Sequence, residues 1–292
     1  MAAARGGGRS RPRREEDALS DLFRHQVAGV EALVADVDPA RGRVIPGCLW
    51  LGDELGAGKT RQVIEAAQQL FVAGQVRRVV VIAPGTVART VWHDPEYGQL
   101  AEYRRADVAF RVTRFHSRSE TWQAPVQAPE GYLDWIVTNY EYMRRPEHLE
   151  MLLRAADETT LLVLDESIAA KDPGSQQTRA CGRLRRACGR AWLLNGTEGG
   201  GDTPADLYAQ ARMMSPAILG CKNKWEFQAR YARTVRRTFN KRQFTEVVGW
   251  TNLDDLWRRL SPYYLRRTKA ECLDLPPKLP PVSFEVPAGP GS

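Results

Sequence analysis

Six short apolar runs constrain this chain more than any other feature. They are GCLWLG (47–52), RRVVVIAP (77–84), DVAFRV (107–112), DWIVTNY (134–140), TTLLVLDE (159–166) and RAWLLNGT (190–197). Most are apolar at consecutive positions, so a strand built from them has no side to turn to water. Stretches with helical spacing lie between several of them, including Arg61 to Val72 and Pro146 to Ala156. Strands buried on both faces and alternating with helices form a parallel sheet covered on each side. The predicted fold is therefore α/β, three layers α/β/α around a central, mostly parallel sheet. A helix precedes the first run, with Leu19, Leu22, Phe23, Val27, Val30 and Leu33 on one side.

Beyond about Leu207 the strand signals stop. DLYAQARMMSPAILG, KWEFQARYARTVRR and NLDDLWRRLSPYYLRR read as helices, which predicts a C-terminal helical extension. The two ends differ in kind. Residues 1–16 are small, basic and without periodicity, and predict a disordered basic tail. Residues 271–292 carry LPPKLPP and predict a proline-rich linker.

With 292 residues and 43% apolar content the chain can bury a large core. No apolar run approaches the roughly 20 residues that span a bilayer, so no membrane partner is expected. The five cysteines show no CxxC spacing, which disfavours a zinc site or a disulfide framework and points to a reducing, cytoplasmic setting. The net charge of +7 suits a polyanion, but only seven of the 42 basic residues are lysine. That arginine skew also follows from a GC-rich genome, so charge alone supports nucleic acid weakly.

The first apolar run continues as LWLGDELGAGKT, Leu49 to Thr60. Glycines packed between a strand and a helix let successive N–H groups turn inward and make an anion-binding hollow. Asp53, Glu54, Leu55, Gly56, Ala57, Gly58, Lys59 and Thr60 form this predicted phosphate loop, although Asp53 stands where the strict GxxxxGK[ST] pattern has glycine. Lys59 brings a point charge to the phosphates, and the Thr60 hydroxyl can sit on Mg²⁺. The fifth run ends in Asp165-Glu166. A carboxylate there lies beside a phosphate loop in such sheets, so Asp165 is a candidate Mg²⁺ ligand and Glu166 a candidate to orient the attacking water. Lys59, Asp165 and Glu166 are the predicted catalytic set, with ATP and Mg²⁺ as cofactors. A plain helix cap is the other reading of the two acids.

In order, these segments resemble the first RecA-like lobe of the SWI/SNF-type ATPases of helicase superfamily two. DELGAGKT resembles the family's DExGxGKT loop. VIAPGTVARTVW resembles motif Ia, VTNYE motif Ib, LVLDES motif II and LLNGTEGGGDTPADLY motif III. LFRHQVAGV is similar to the segment that reads adenine, which points to Gln26. KWEFQARYA and the block LRRTK…LPPK resemble the stretch that closes the lobe. The resemblance implies residues 17–215 as a RecA-like ATP-binding lobe, 216–270 as the extension closing it, and 271–292 as a link toward a second RecA-like lobe. It implies an ATP-driven motor on double-stranded DNA; the expected setting is a bacterial or phage-like host cytoplasm. Arg89, Trp92, Asn139 and Tyr140 would lie toward the DNA backbone; for Trp92, core packing is an almost equal reading.

The pattern departs from the family in its relay residues. Ser167-Ile168 follow Asp-Glu where Ala-His is usual, Asn195-Gly196-Thr197-Glu198 replace Thr-Gly-Thr-Pro, Gly-Gly replaces Gln-Asn, and His25 replaces a tyrosine. These changes predict retained ATP binding with weakened coupling. A non-catalytic ATP- or DNA-binding scaffold and an unrelated P-loop phosphotransferase remain the alternatives.

Overall fold

The structure is a computed structural model that describes residues 22–115, 127–196, 203–239 and 242–272. The expected basic tail, Leu19, and all but the first two residues of the proline-rich link lie outside the described residues. Among the described residues nine strands run as β1 (Cys48–Leu51), β2 (Arg78–Ala83), β3 (Phe110–Phe115), β4 (Leu133–Asn139), β5 (Thr160–Leu164), β6 (Arg190–Leu194), β7 (Ala232–Phe239), β8 (Arg242–Trp250) and β9 (Tyr264–Leu265). The longer helices are α1 (Arg24–Val34), α2 (Lys59–Val72), α3 (Pro146–Ala155), α4 (Gln176–Ala187), α5 (Pro204–Met214), α6 (Lys224–Tyr231) and α7 (Leu253–Leu260).

Seven strands form one sheet in the order β3-β4-β2-β5-β6-β1-β9, and every pairing in it is parallel. Side chains alternate between the two faces, so continuously apolar strands feed two cores. Leu49, Leu51, Val79, Val81, Leu161, Val163, Trp192 and Leu194 pack with α1 and α2 on one face. Trp50, Val80, Ile82, Leu162, Leu164 and Leu193 pack with α3, α4 and α5 on the other. Truncating Leu162 or Leu164 to alanine removes about 2–5 kcal/mol from such a site. Because all seven strands point the same way, the ends of β1, β5 and β6 share one edge, and the loops that leave it can meet. The opposite edge is pinned by Arg78, whose Nε donates to Asp134 at 2.7 Å, both buried.

The C-terminal extension has its expected helices, but a β-ribbon stands where ARTVRR reads as helix in the sequence. α6 stops at Tyr231, and β7 pairs antiparallel with β8 from Ala232↔Trp250 to Phe239↔Arg242. The reason is local: Thr234, Val235, Thr238, Thr245, Val247 and Val248 crowd a helix at χ1 but fit a pleated ribbon. The next helix, α7, ends at Leu260 ahead of Pro262, which cannot continue it. Tyr264 and Leu265 then enter the central sheet beside β1, as Trp50↔Tyr264 and Leu51↔Leu265. Phe227, Tyr231, Leu256, Leu260 and Tyr263 belong to the same core as the sheet residues, so this region is part of the lobe.

Candidate functional site

β1 delivers the glycine loop to the carboxyl edge. Gly56 and Gly58 adopt φ of +88° and +75°, the left-handed region that a side chain disfavours. At Gly58 a Cβ would also lie 2.2 Å from the amide nitrogen of Gln26. α2 begins directly at Lys59, so its unpaired N–H groups face the loop. Leu55 is largely exposed, and only its backbone belongs to the hollow. Thr60 is half-buried on the first turn of α2.

The Lys59 ammonium is buried. It donates to the carbonyl of Asp53 at 2.7 Å and to that of Glu54 at 3.4 Å. Burial pushes its pKa down, while Glu166, Asp53 and Asp165 act in the opposite sense. The segment after β6 passes over it, since a Cβ on Gly196 would start 3.6 Å from Nζ.

β5 delivers the acids. Asp165 is buried; its Oδ2 accepts from the Trp92 indole at 2.7 Å and its Oδ1 from the Glu166 N–H at 3.0 Å. Its carbonyl accepts from the Tyr140 hydroxyl at 2.9 Å. Burial raises its pKa, against the pull of the Trp92 donor. Glu166 takes a left-handed φ of 47°, which turns the chain sharply at the sheet edge and leaves its side chain half-buried. Gln26 lies against the loop: its Nε2 is 3.5 Å from the Ala57 carbonyl and its Oε1 accepts from the Phe23 N–H at 3.1 Å. His25 Nε2 sits 3.0 Å from the same carbonyl.

The four residues expected toward DNA divide. Arg89 is exposed, its Nε donating to the Gly85 carbonyl at 3.3 Å. Asn139 is mostly buried and accepts the Tyr142 N–H at 2.9 Å. Trp92 takes the core-packing place that is its other reading, and Tyr140 is buried with it. One π-helical turn, Ala88–Trp92, carries the Trp92 ring inward to full burial, and the Tyr140 ring is 2% exposed. Both brace Asp165 and have no surface to offer a phosphate backbone.

Sequence reasoning missed two supports of the loop, Arg267 and Gln62, and the partner of Ser167 at the acid turn. Arg267 holds both Asp53 oxygens and the Gln62 amide oxygen. Gln62 donates to Asp53 and to the Ala57 carbonyl, each at 3.3 Å. Ser167 donates to the Gln210 amide oxygen on α5 at 2.5 Å, with both side chains buried. The signal for Gln62 was a polar residue among Val63, Ile64 and Ala66 on a buried helix face.

The family model for the SNF2-related domain matches residues 25–284. The chain belongs to the SNF2-related domain family. It is 25% identical over 232 residues to the SNF2 domain-containing protein ENL1 of Oryza sativa subsp. japonica, covering 76% of this chain and 22% of that protein. It is 24% identical over 255 residues to the DNA excision repair protein ERCC-6-like of Mus musculus, covering 86% of this chain and 19% of that protein. Among solved structures it is similar to the Sulfolobus solfataricus SWI2/SNF2 ATPase core in complex with dsDNA. That match has a TM-score of 0.63 at 21% identity, over 92% of this chain and 49% of the other, and shows a common fold. The SNF2-related chain spans about a fifth of the length of the curated relatives it matches.

In this SNF2-related lobe the unusual Ser167 is not an empty position. Its bond to Gln210 joins the turn after Asp165-Glu166 to α5, and Lys171 adds a 3.8 Å ion pair to Asp206 at the start of the same helix. Thr197 to Gly200, the other altered stretch, lie outside the described residues. Cys181 and Cys188 are packing groups: burial pushes both thiols up to about 12. No described helix is long and apolar enough to cross a membrane.

Proposed function

We propose that this chain is the ATP-binding motor lobe of a DNA-dependent ATPase, a duplex-DNA translocase of the SWI/SNF kind. One observation carries the reading: the buried Lys59 ammonium at the head of α2 donates to the Asp53 and Glu54 carbonyls of the glycine loop, on the sheet edge where β5 delivers Asp165 and Glu166. A buried cation in a glycine loop, with a pair of acids on the same sheet edge, is an arrangement that polyphosphate and a metal ion would complete. The loop N–H groups and Lys59 bind phosphate, Gln26 reads the base, and Glu166 orients the attacking water.

Thr60 and Asp165 fit Mg²⁺. Each Asp165 oxygen accepts one hydrogen bond and keeps a lone pair. Mg²⁺ takes one or two protein oxygens together with phosphate and water, rather than a full protein cage. Bound there, it would neutralise charge on the β- and γ-phosphate oxygens. A second RecA-like lobe supplies the facing side of the cleft, and duplex DNA is the track.

The test is ATP turnover by this chain, with and without duplex DNA, alone and with a second-lobe polypeptide. Lys59→Ala serves as the binding control and should abolish stabilisation by Mg-ATP. Turnover indifferent to DNA under every condition would favour a phosphotransferase with another acceptor. Tight binding without any turnover would favour a scaffold.

A further inference from the structure

We propose that Arg267 is a positioning residue for the phosphate loop, and that the segment Tyr264–Lys269 responds to what that loop holds. The proposal rests on the ATP-binding reading above. The first three residues after β1 are each bonded to this segment. The Gly52 N–H donates to the Leu265 carbonyl at 2.7 Å and the Glu54 N–H to the Arg267 carbonyl at 2.9 Å. Between them, Arg267 Nε and Nη2 donate to the two oxygens of Asp53 at 3.0 and 2.5 Å. The Lys269 N–H then donates to Glu54 Oε2 at 2.7 Å.

The same guanidinium reaches further. Its Nη2 donates to Gln62 Oε1 at 3.1 Å and its Nη1 to the carbonyl of His25, next to the residue expected to read adenine. One side chain thus ties together the adenine segment, the loop and the first turns of α2. Asp53 has no solvent exposure, and the fork meets both of its oxygens. A planar bidentate donor suits that task; a lysine could not reproduce it.

The link to ligand runs through Lys59. Its ammonium now donates to the carbonyls of Asp53 and Glu54, the two residues that Arg267 and Lys269 hold by their side chains. Phosphate oxygens drawing the ammonium away would leave those carbonyls without that donor. The loop would then settle anew against Arg267 and Lys269. Lys269 is close enough to take part, its Nζ lying 3.5 Å from where a Cβ on Gly56 would stand. The strand that leaves the sheet beside β1 is therefore mechanically joined to the nucleotide.

Hydrogen exchange on the full 292-residue chain, with and without Mg-ATP, tests this alongside affinity for a fluorescent ATP analogue. In the parent, nucleotide should change exchange at residues 265–272 as well as at the loop. Arg267→Gln should lose the change at 265–272 and bind the analogue about 10–100-fold more weakly, the range in which such supporting partners act. Exchange in β2 and β4 should stay as in the parent, and Arg267→Lys should recover only part of the loss. If Arg267→Gln does not fold, Asp53→Asn gives the same readings from the other partner. A parent that binds nucleotide without any change at 265–272 overturns the proposal alone. So does an Arg267→Gln or Asp53→Asn variant that binds as the parent does. A parent that binds no nucleotide overturns this proposal and the ATP reading together.

Discussion

The indole Nε1 of Trp92 donates to Oδ2 of Asp165 at 2.7 Å, joining the turn after β2 to the carboxylate at the end of β5. The contact decides how readily a buried acid stays ionised. Burial already raises the Asp165 pKa, and the indole is the first force opposing it. Trp92→Phe removes that donor, so the pKa climbs further. The acid limb of the pH–turnover profile should move to higher pH. Stability follows the same sign: an acid whose folded pKa exceeds its unfolded one loses stability as pH rises through the folded value. Trp92→Phe should therefore cost more at pH 8 than at pH 5, with about 1–3 kcal/mol lost overall. Denaturant melts at the two pH values check it.

Glu166 sits one residue on, at φ 47°, and on the proposed reading it orients the attacking water while Asp165 holds the metal. Glu166→Gln keeps the shape and removes the water-orienting carboxylate. Mg-ATP affinity should be kept while turnover falls about 10²–10⁴-fold. Equal turnover in parent and variant would leave Glu166 a mere turn residue.

Ser167 donates to Gln210 and links the acid turn to α5 at 2.5 Å. Both are about 1% exposed, so the histidine usual in the family has no room unless α5 shifts. Ser167→His should destabilise by about 1–3 kcal/mol through overpacking. Ser167→Ala takes the hydroxyl donor from the Gln210 oxygen without adding bulk. It should lower the DNA stimulation of turnover more than basal turnover, a difference that parallel assays with and without duplex read directly.

Much of this lobe was legible because strand burial and phosphate chemistry are local. Val79 to Ala83 and Leu161 to Leu164 are apolar at every position, and only a doubly covered strand hides them all. Gly56, Gly58 and Lys59 announce a loop whose geometry few other residues tolerate. What escaped depends on partners distant in sequence. Tyr231 and Val235 share helical spacing, yet Val235 pairs across a ribbon with Glu246, and β-branched neighbours outweigh the period. Arg267 reaches Asp53 across 214 positions, which no spacing rule encodes. Trp92 was readable as core or as DNA contact, and only the fold of its π turn sends the ring inward.

Arg89 is the exposed cation of the turn after β2, beside the half-buried Gly85 and the exposed Thr86 and Thr90. If this edge meets duplex phosphates, affinity should fall log-linearly with salt and vary little with sequence. Arg89→Ala should lower the slope of log K against log salt by about one and weaken all duplexes alike. Fluorescence anisotropy across a salt series gives both numbers. A slope that Arg89→Ala leaves unchanged would move the contact elsewhere.

The remaining prediction concerns the facing side of the cleft. On the proposed reading Lys59 supplies a buried cation, Asp165 a metal-holding oxygen and Glu166 the group that orients water, while the Arg267 guanidinium is engaged by Asp53. Charge that builds on the γ-phosphate needs further cations, placed opposite the loop. In nucleotide hydrolases such arginines are worth about 10³–10⁵ in rate. The 292 residues alone should therefore bind Mg-ATP but turn it over slowly, with little response to duplex DNA. Supplying a second RecA-like lobe, on the same or another polypeptide, should raise turnover by orders of magnitude and make it DNA-dependent. Steady-state phosphate release across a titration of that lobe measures the gain. Rapid, duplex-stimulated hydrolysis by this chain unaided would mean that the arginines reside within it, and the half-motor reading would fall.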